Sequence, residues 1–96
     1  MQLRIVRIEL KGVDSQVVEV PYGSIVLNVN DFYGQPVVNV ITPVGNLESE
    51  SHIIRMAPAN TTISGEFATF KYLGSTPVPT NAGYNHYFEQ EAPQAK

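Results

Sequence analysis

The stretch QVVEVPYGSIVLNVNDFYGQPVVNVIT, Gln16 to Thr42, decides the fold of this chain. Its β-branched residues fall into three extended runs, Gln16–Val20, Ser24–Asn30 and Val37–Thr42. Pro21-Tyr22-Gly23 makes a tight corner between the first two, because proline has no amide hydrogen to give a ladder. Asp31-Phe32-Tyr33-Gly34-Gln35-Pro36 is a turn between the second and third. Within the middle run Ile25, Leu27 and Val29 are expected on one face, with Asn28 and Asn30 on a wetter one. Val37–Thr42 is nearly all apolar and is therefore placed centrally.

Working outward, Gln2 to Leu10 reads as a preceding strand. Leu3 and Ile5 lie on one face and Val6, Ile8 and Leu10 on the other, which implies a strand covered on both sides or a bulge. Lys11 to Ser15 is the connecting turn, with Gly12 available for a positive φ. Pro43 to Ser51 is a polar loop carrying Glu48 and Glu50, and Ser51 to Met56 is a fifth strand that breaks at Pro58. Gly65 to Leu73 alternates, Phe67, Thr69 and Lys71 against Ala68, Phe70 and Tyr72, and reads as a sixth. Gly74 to Gly83, with Pro77 and Pro79, reads as a stiff loop outside any sheet, and Tyr84 to Glu89 as the last strand. The predicted fold is all-β: about seven short antiparallel strands in a small sandwich or partly open barrel. Residues 1–89 form a single β domain and 90–96 a flexible C-terminal tail.

At 96 residues with 43% apolar content, the chain can bury a thin core. Domains of this size bury roughly 60% of their unfolded surface, so self-association into a homo-oligomer is an expected supplement. The absence of cysteine removes disulfides and Cys-based zinc sites. Arg4, Arg7 and Glu9 interrupt any signal-peptide core at the N-terminus, and no apolar run approaches the ~20 residues of a membrane-spanning helix. The chain is read as soluble and intracellular, with no membrane partner. A net charge of −3, with six Lys and Arg dispersed along the chain, does not suit a grip on long nucleic acid, whose phosphates demand a basic excess. A small nucleotide stays compatible.

No catalytic set assembles from the residue types. His52 and His86 have no acidic or histidine neighbour at metal spacing, so both are read as structural and no metal or cofactor is expected. None of the serines lies in a Gly-x-Ser-x-Gly elbow, Asp14 and Asp31 sit in turns, and Glu48 and Glu50 read as a charged rim. One constellation points toward binding. Arg55, Lys71, Tyr72, Tyr84, His86 and Tyr87 fall in the last three predicted strands, where aromatics and cations suit a small anionic ring-bearing ligand. The competing reading makes the aromatics cross-strand partners and the cations edge solubilisers.

Several of these segments also resemble a small bacteriophage-encoded domain family of unknown function. Val18-Glu19-Val20-Pro21-Tyr22-Gly23-Ser24 is similar to that family's hydrophobic–x–Met-Pro-x-Gly-Ala corner, and Gly34-Gln35-Pro36-Val37 to the turn entering its next strand. Phe67-Ala68-Thr69-Phe70 resembles its late Ile-Gly-Thr-aromatic strand, and His86-Tyr87-Phe88-Glu89 its closing His-x-Phe-Glu. A Thr-Gly-His loop of the family is replaced by Met56 to Thr62, so no role carries over there. The resemblance implies a phage or prophage accessory protein made in the bacterial cytoplasm. The expected function is a non-enzymatic, counter-defence binding protein that sequesters a small nucleotide signal or blocks a host defence protein. The alternative is a virion decoration or connector component.

Overall fold

The computed structural model describes residues 2–45, 48–78 and 83–90. Its elements are β1 (Leu3–Glu9), β2 (Ser15–Pro21), β3 (Ile25–Phe32), β4 (Gln35–Pro43), β5 (Ser49–Pro58), a 3-10 helix η1 (Gly65–Thr69), β6 (Lys71–Pro77) and β7 (Tyr84–Gln90). Every pairing is antiparallel, in one sheet of order β1-β4-β3 and a second of order β2-β5-β7-β6. The protein is thus an all-β domain of seven strands in two layers, with Cα extents of 43 × 35 × 16 Å. No helix among the described residues is long and apolar enough to cross a membrane.

Alternation in β4 builds the centre of the core. Val38 and Val40 are fully buried on its inner face and meet Val26 and Val29 of β3, Val18 and Val20 of β2, Ile54 of β5, Leu73 of β6 and Tyr87 of β7. β4 is central, as expected, bonded to β1 on one side and β3 on the other. The β3–β4 hairpin is closed by Tyr33 (φ 51) and Gly34 (φ 86), two consecutive left-handed residues that suit a tight type I′ connection. Asp31 Oδ2 accepts from the Gly34 amide at 3.1 Å.

Four local expectations are corrected. First, β1 pairs with β4 without a register shift from Leu3 to Glu9, so there is no bulge. Nor is β1 covered on both sides: Leu3 and Ile5 remain 59% and 66% exposed. Second, β3 is bulged between Val26 and Asn28. The extra residue breaks the alternation, so Val26 and Val29 both point inward while Ile25 and Leu27 stay outside. Third, Gly65 to Thr69 is helical. The Ser64 hydroxyl caps it by accepting from the Glu66 amide, and Phe67 N–H bonds back to Ser64 O. The period-2 pattern of this stretch was incidental, and the segment resembling the family's late strand lies in this helix. Fourth, the sheet continues through Gly74 to Pro77, where a loop was expected. β6 is the edge of its sheet, and an edge strand can absorb a proline.

Gln90 closes β7 and is not part of a tail; the rest of the predicted tail, with Pro79 to Ala82 and Asn46-Leu47, lies outside the described residues. Gly12 does not take a positive φ.

The two sheets meet where β3 and β6 run side by side. Gly74, at φ 131, sits against the β3 backbone so closely that an added Cβ would lie 2.5 Å from Val29 O. β6 carries its own bulge between Tyr72 and Gly74 at this point. Replacing Gly74 by alanine is expected to cost about 3 kcal/mol, through the clash and the disfavoured φ together. Gly34→Ala, with a positive φ but open space around it, is expected to cost only about 1 kcal/mol. Urea denaturation of both variants checks this; equal losses would show that the β3–β6 approach is not what makes Gly74 necessary.

Candidate functional site

The outer face of β5, β7 and β6 gathers several of the residues nominated from the sequence. Alternation along β7 places Tyr84, His86 and Phe88 on this face and Asn85, Tyr87 and Glu89 on the inner one. The ladders set Phe88 between Arg55 of β5 and Tyr72 of β6. The Tyr72 ring meets Phe88 edge-on with centroids 5.3 Å apart, and its hydroxyl is 2.9 Å from His86 Nδ1. With the phenol as donor, the imidazole proton lies on Nε2. Tyr72, His86 and Phe88 therefore form a connected aromatic shelf.

The 3-10 helix covers one end of this shelf. Phe67 is buried against Phe88 at 5.3 Å and against Phe70 at 4.9 Å. The Arg55 guanidinium lies over the Phe67 ring, 4.8 Å from its centroid, and Nη1 donates to Gln90 Oε1 at 2.8 Å. Glu66 Oε1 is 4.0 Å away, and Arg55 Nε is buried without a hydrogen-bond partner. At the other end, the chain leaving β5 folds over the shelf. Asn60 reverses it in the left-handed region (φ 64), Thr61 Oγ1 donates to Pro58 O at 2.6 Å, and the Ala59 amide bonds to Tyr84 O. Between this segment and the shelf is a cleft of about 360 Å³, lined by Ala57, Pro58, Asn60, Ile63, His86 and Phe88 among others. Its walls combine apolar side chains with Asn60 and Thr61, and the imidazole is the one titratable group in its lining.

Arg55, Tyr72 and His86 are thus brought to one face. Tyr84 shares that face but is opposite Pro77, half exposed and away from the cleft lining. Tyr87 points the other way and is wholly buried in the core. Lys71 reaches across the seam between the sheets, where its Nζ donates to Val26 O at 2.7 Å. Arg55 and Lys71 therefore do not converge on one cavity.

Sequence reasoning missed a second cluster. His52 Nδ1 is 2.5 Å from Glu89 Oε2 and Nε2 is 2.5 Å from Glu50 Oε2, while Glu50 Oε1 accepts from the Gly23 amide at 2.8 Å. Glu50 and His52 are two apart in β5 and so share its inner face, a signal present in the sequence; Glu89 arrives only through the β5–β7 pairing. The reading of Glu50 as part of a charged rim is corrected accordingly. Both ring nitrogens are engaged, so the group ties β5, β7 and the β2–β3 corner together and presents no free base. No group of three or more His, Cys, Asp or Glu side chains able to hold a metal occurs among the described residues.

Burial disfavours the His52 charge, but the hydrogen bonds and negative charges of Glu89 and Glu50 outweigh it and hold its pKa above the usual 6.5. The Gly23 amide holds Glu50 below its usual 4.5; burial opposes this, and the His52 bond and charge reinforce it. A raised His pKa stabilises the fold fully below 6.5 and less as pH rises through the folded value. A lowered Glu pKa stabilises it above 4.5 and less as pH falls through the folded value. Stability is therefore expected to peak between 4.5 and 6.5 and to decline on the alkaline side. His52→Gln should remove that alkaline decline. Denaturant melts at pH values from below 4.5 to well above 6.5 test it, and a profile unchanged by the substitution would show that the clamp does not set it.

No family model matches this chain, and neither a curated protein nor a solved structure does, so the geometry of the shelf and cleft is the basis for a functional reading.

Proposed function

We propose that this domain is a non-enzymatic binding module, a phage accessory protein that counters host defence by sequestering a small nucleotide signal or blocking a host defence protein. The observation that carries the reading is the Tyr72–His86–Phe88 shelf opening onto the 360 Å³ cleft. Its volume lies at the small-molecule end of the usual range, and flat aromatic surfaces hold ring-bearing ligands by stacking. Arg55 stands opposite Phe88 across the ladder, on the same face; it donates to the neutral Gln90, and Glu66 Oε1 lies 4.0 Å from it. A positive charge thus borders the shelf, where a phosphate is met by a charge-assisted hydrogen bond. Lys71 does not take part, because its ammonium is committed to Val26 O. The resemblance of the corner and closing-strand segments to a phage-encoded family supports the origin and the bacterial cytoplasm as the place of action.

A second reading, a virion decoration or connector component, draws on a different observation. On the outer face of the three-stranded sheet Ile5, Ile41 and Ile25 stand in register across β1, β4 and β3, with Leu3 and Leu27 beside them. Four of these, Leu3, Ile5, Ile25 and Leu27, are exposed. β1 and β2 each keep one unpaired edge open to strand addition. Homo-oligomer formation would use the same face.

Thermal-shift titration with linear and cyclic nucleotides tests the first reading. A ligand at 100 times its Kd is expected to add about 2.7 kcal/mol of stability. His86→Ala and Arg55→Met should each weaken binding about tenfold, or ~1.4 kcal/mol. A flat response to every nucleotide would remove nucleotide sequestration. Mass spectrometry of purified particles decides the second reading, which fails if the protein is absent from them.

A further inference from the structure

β1 is an edge of the three-stranded sheet, and among the described residues no strand pairs with its outer side. It lacks most of the devices that protect an edge. Leu3–Glu9 contains no proline or glycine and pairs with β4 without a bulge. The other edges are guarded: β3 and β6 are bulged and meet each other at the seam, and β2 ends at Pro21. The one charged residue of β2, Glu19, accepts from the Ser51 hydroxyl.

Two backbone bonds fix which groups β1 offers. The Leu10 amide donates to Pro36 O at 2.9 Å, and the Val44 amide to Gln2 O at 3.0 Å, at the two ends of the β1–β4 ladder. In an antiparallel pair, residues bonded to the neighbour alternate with residues turned away from it, so the even-numbered positions face β4. Leu3, Ile5, Arg7 and Glu9 therefore direct their N–H and C=O outward. The free edge ends just past Glu9, because the Lys11 N–H and C=O are both taken by the Gln16 side-chain amide.

Charge selects among the ways a second copy of β1 can add antiparallel about a two-fold axis. An axis through Arg4, Arg7 or Glu9 sets like charges opposite one another. An axis through Ile5 or Val6 sets Arg7 opposite Leu3 or Ile5. An axis through Ile8 sets Arg7 of each copy opposite Glu9 of the other, both exposed. These are also residues whose backbone groups are free, so each such pair exchanges two N–H···O=C bonds. On the inner side the half-buried Ile8 meets its own copy and Val6 meets Leu10, which covers apolar surface at the margin of the core. Arg7 turns from the Phe32 ring, 3.6 Å away, to make this contact. An exposed cation–π contact thereby gives way to a charge-assisted hydrogen bond.

We propose that the partner of this edge is a second copy of the chain, held by β1–β1 pairing in the register that joins Arg7 to Glu9 twice. Two three-stranded sheets become one of six, with the isoleucine rows of both copies on one side of it. The inference is independent of what the aromatic shelf binds, since the shelf lies on the other sheet.

Sedimentation velocity of the full chain, from about 1 µM to about 1 mM, tests it. A concentration-dependent dimer is expected, and Arg7→Glu and Glu9→Arg should each weaken it at least about tenfold. An equimolar mixture of the two variants should restore it, because the two introduced charges then face each other, as do the two native ones. In hydrogen exchange the Arg7 and Glu9 amides should be fast in the dilute chain and slow in the dimer. A wild-type chain that stays monomeric would overturn the proposal, as would a mixture no tighter than either variant alone. So would exchange at those two amides that does not change with concentration. A dimer lost on Ile25→Lys but kept in both charge variants would place the association on the isoleucine face and overturn it too.

Discussion

The contact on which the rest of this structure depends is the approach of β6 to β3 at Gly74 and Val29. Two sheets of three and four strands pack face to face over one core, and here they also meet along one edge, backbone against backbone. Three local departures from regular strand geometry make it possible: the missing side chain at Gly74, the bulge in β6 beside it, and the bulge in β3 between Val26 and Asn28. Lys71 crosses the same seam to Val26 O, so the edge that would otherwise expose a carbonyl is closed by a side chain. The other edge strands of the two sheets, β1 and β2, lie away from this seam.

That arrangement sorts the polar and aromatic residues by face. On the inner side, the His52 clamp holds β5, β7 and the β2–β3 corner at one end, and valines with Ile54, Leu73 and Tyr87 fill the middle. On the outer side of the four-stranded sheet, Tyr72, His86 and Phe88 form a surface flanked by the 3-10 helix and by the chain leaving β5. On the outer side of the three-stranded sheet, Arg7 lies 3.6 Å over the Phe32 ring, flanking Val37, which is buried although it faces outward. Asn39 bridges Asn28 and Asn30 there. One layer thus presents an aromatic recess and the other a partly exposed isoleucine row.

How far these features could be read in advance depended on whether the signal was local. β2, β4 and β7 were legible because each is a short run of alternating or continuous apolar residues between strong breakers. The Tyr33-Gly34 turn was legible for the same reason. The Glu50-x-His52 pair was also local, at a spacing that puts both on one face of a strand, and counting strand faces would have found it. The 3-10 helix was not legible, since Gly65 to Thr69 satisfies a period of two as well as a single helical turn. Only the docking of Phe67 onto Phe88 distinguishes them.

By itself, then, the amino-acid sequence determined an all-β chain, its corners, and the valine alternation that makes an inner face, because those depend on residues within a few positions of one another. The tertiary structure alone decided which candidate residues meet. Tyr87 and His86 are adjacent in sequence yet face opposite sides of a sheet, one toward the core and one toward the cleft. Arg55 and Lys71 looked equivalent as cations on predicted strands, but pairing sets Arg55 opposite Phe88 on the aromatic face and Lys71 opposite Glu89 on the other, where it reaches a carbonyl of the opposite layer. The physical reason is that pairing order and bulge position are set by contacts between residues distant along the chain, whose energies are summed only when the sheets close.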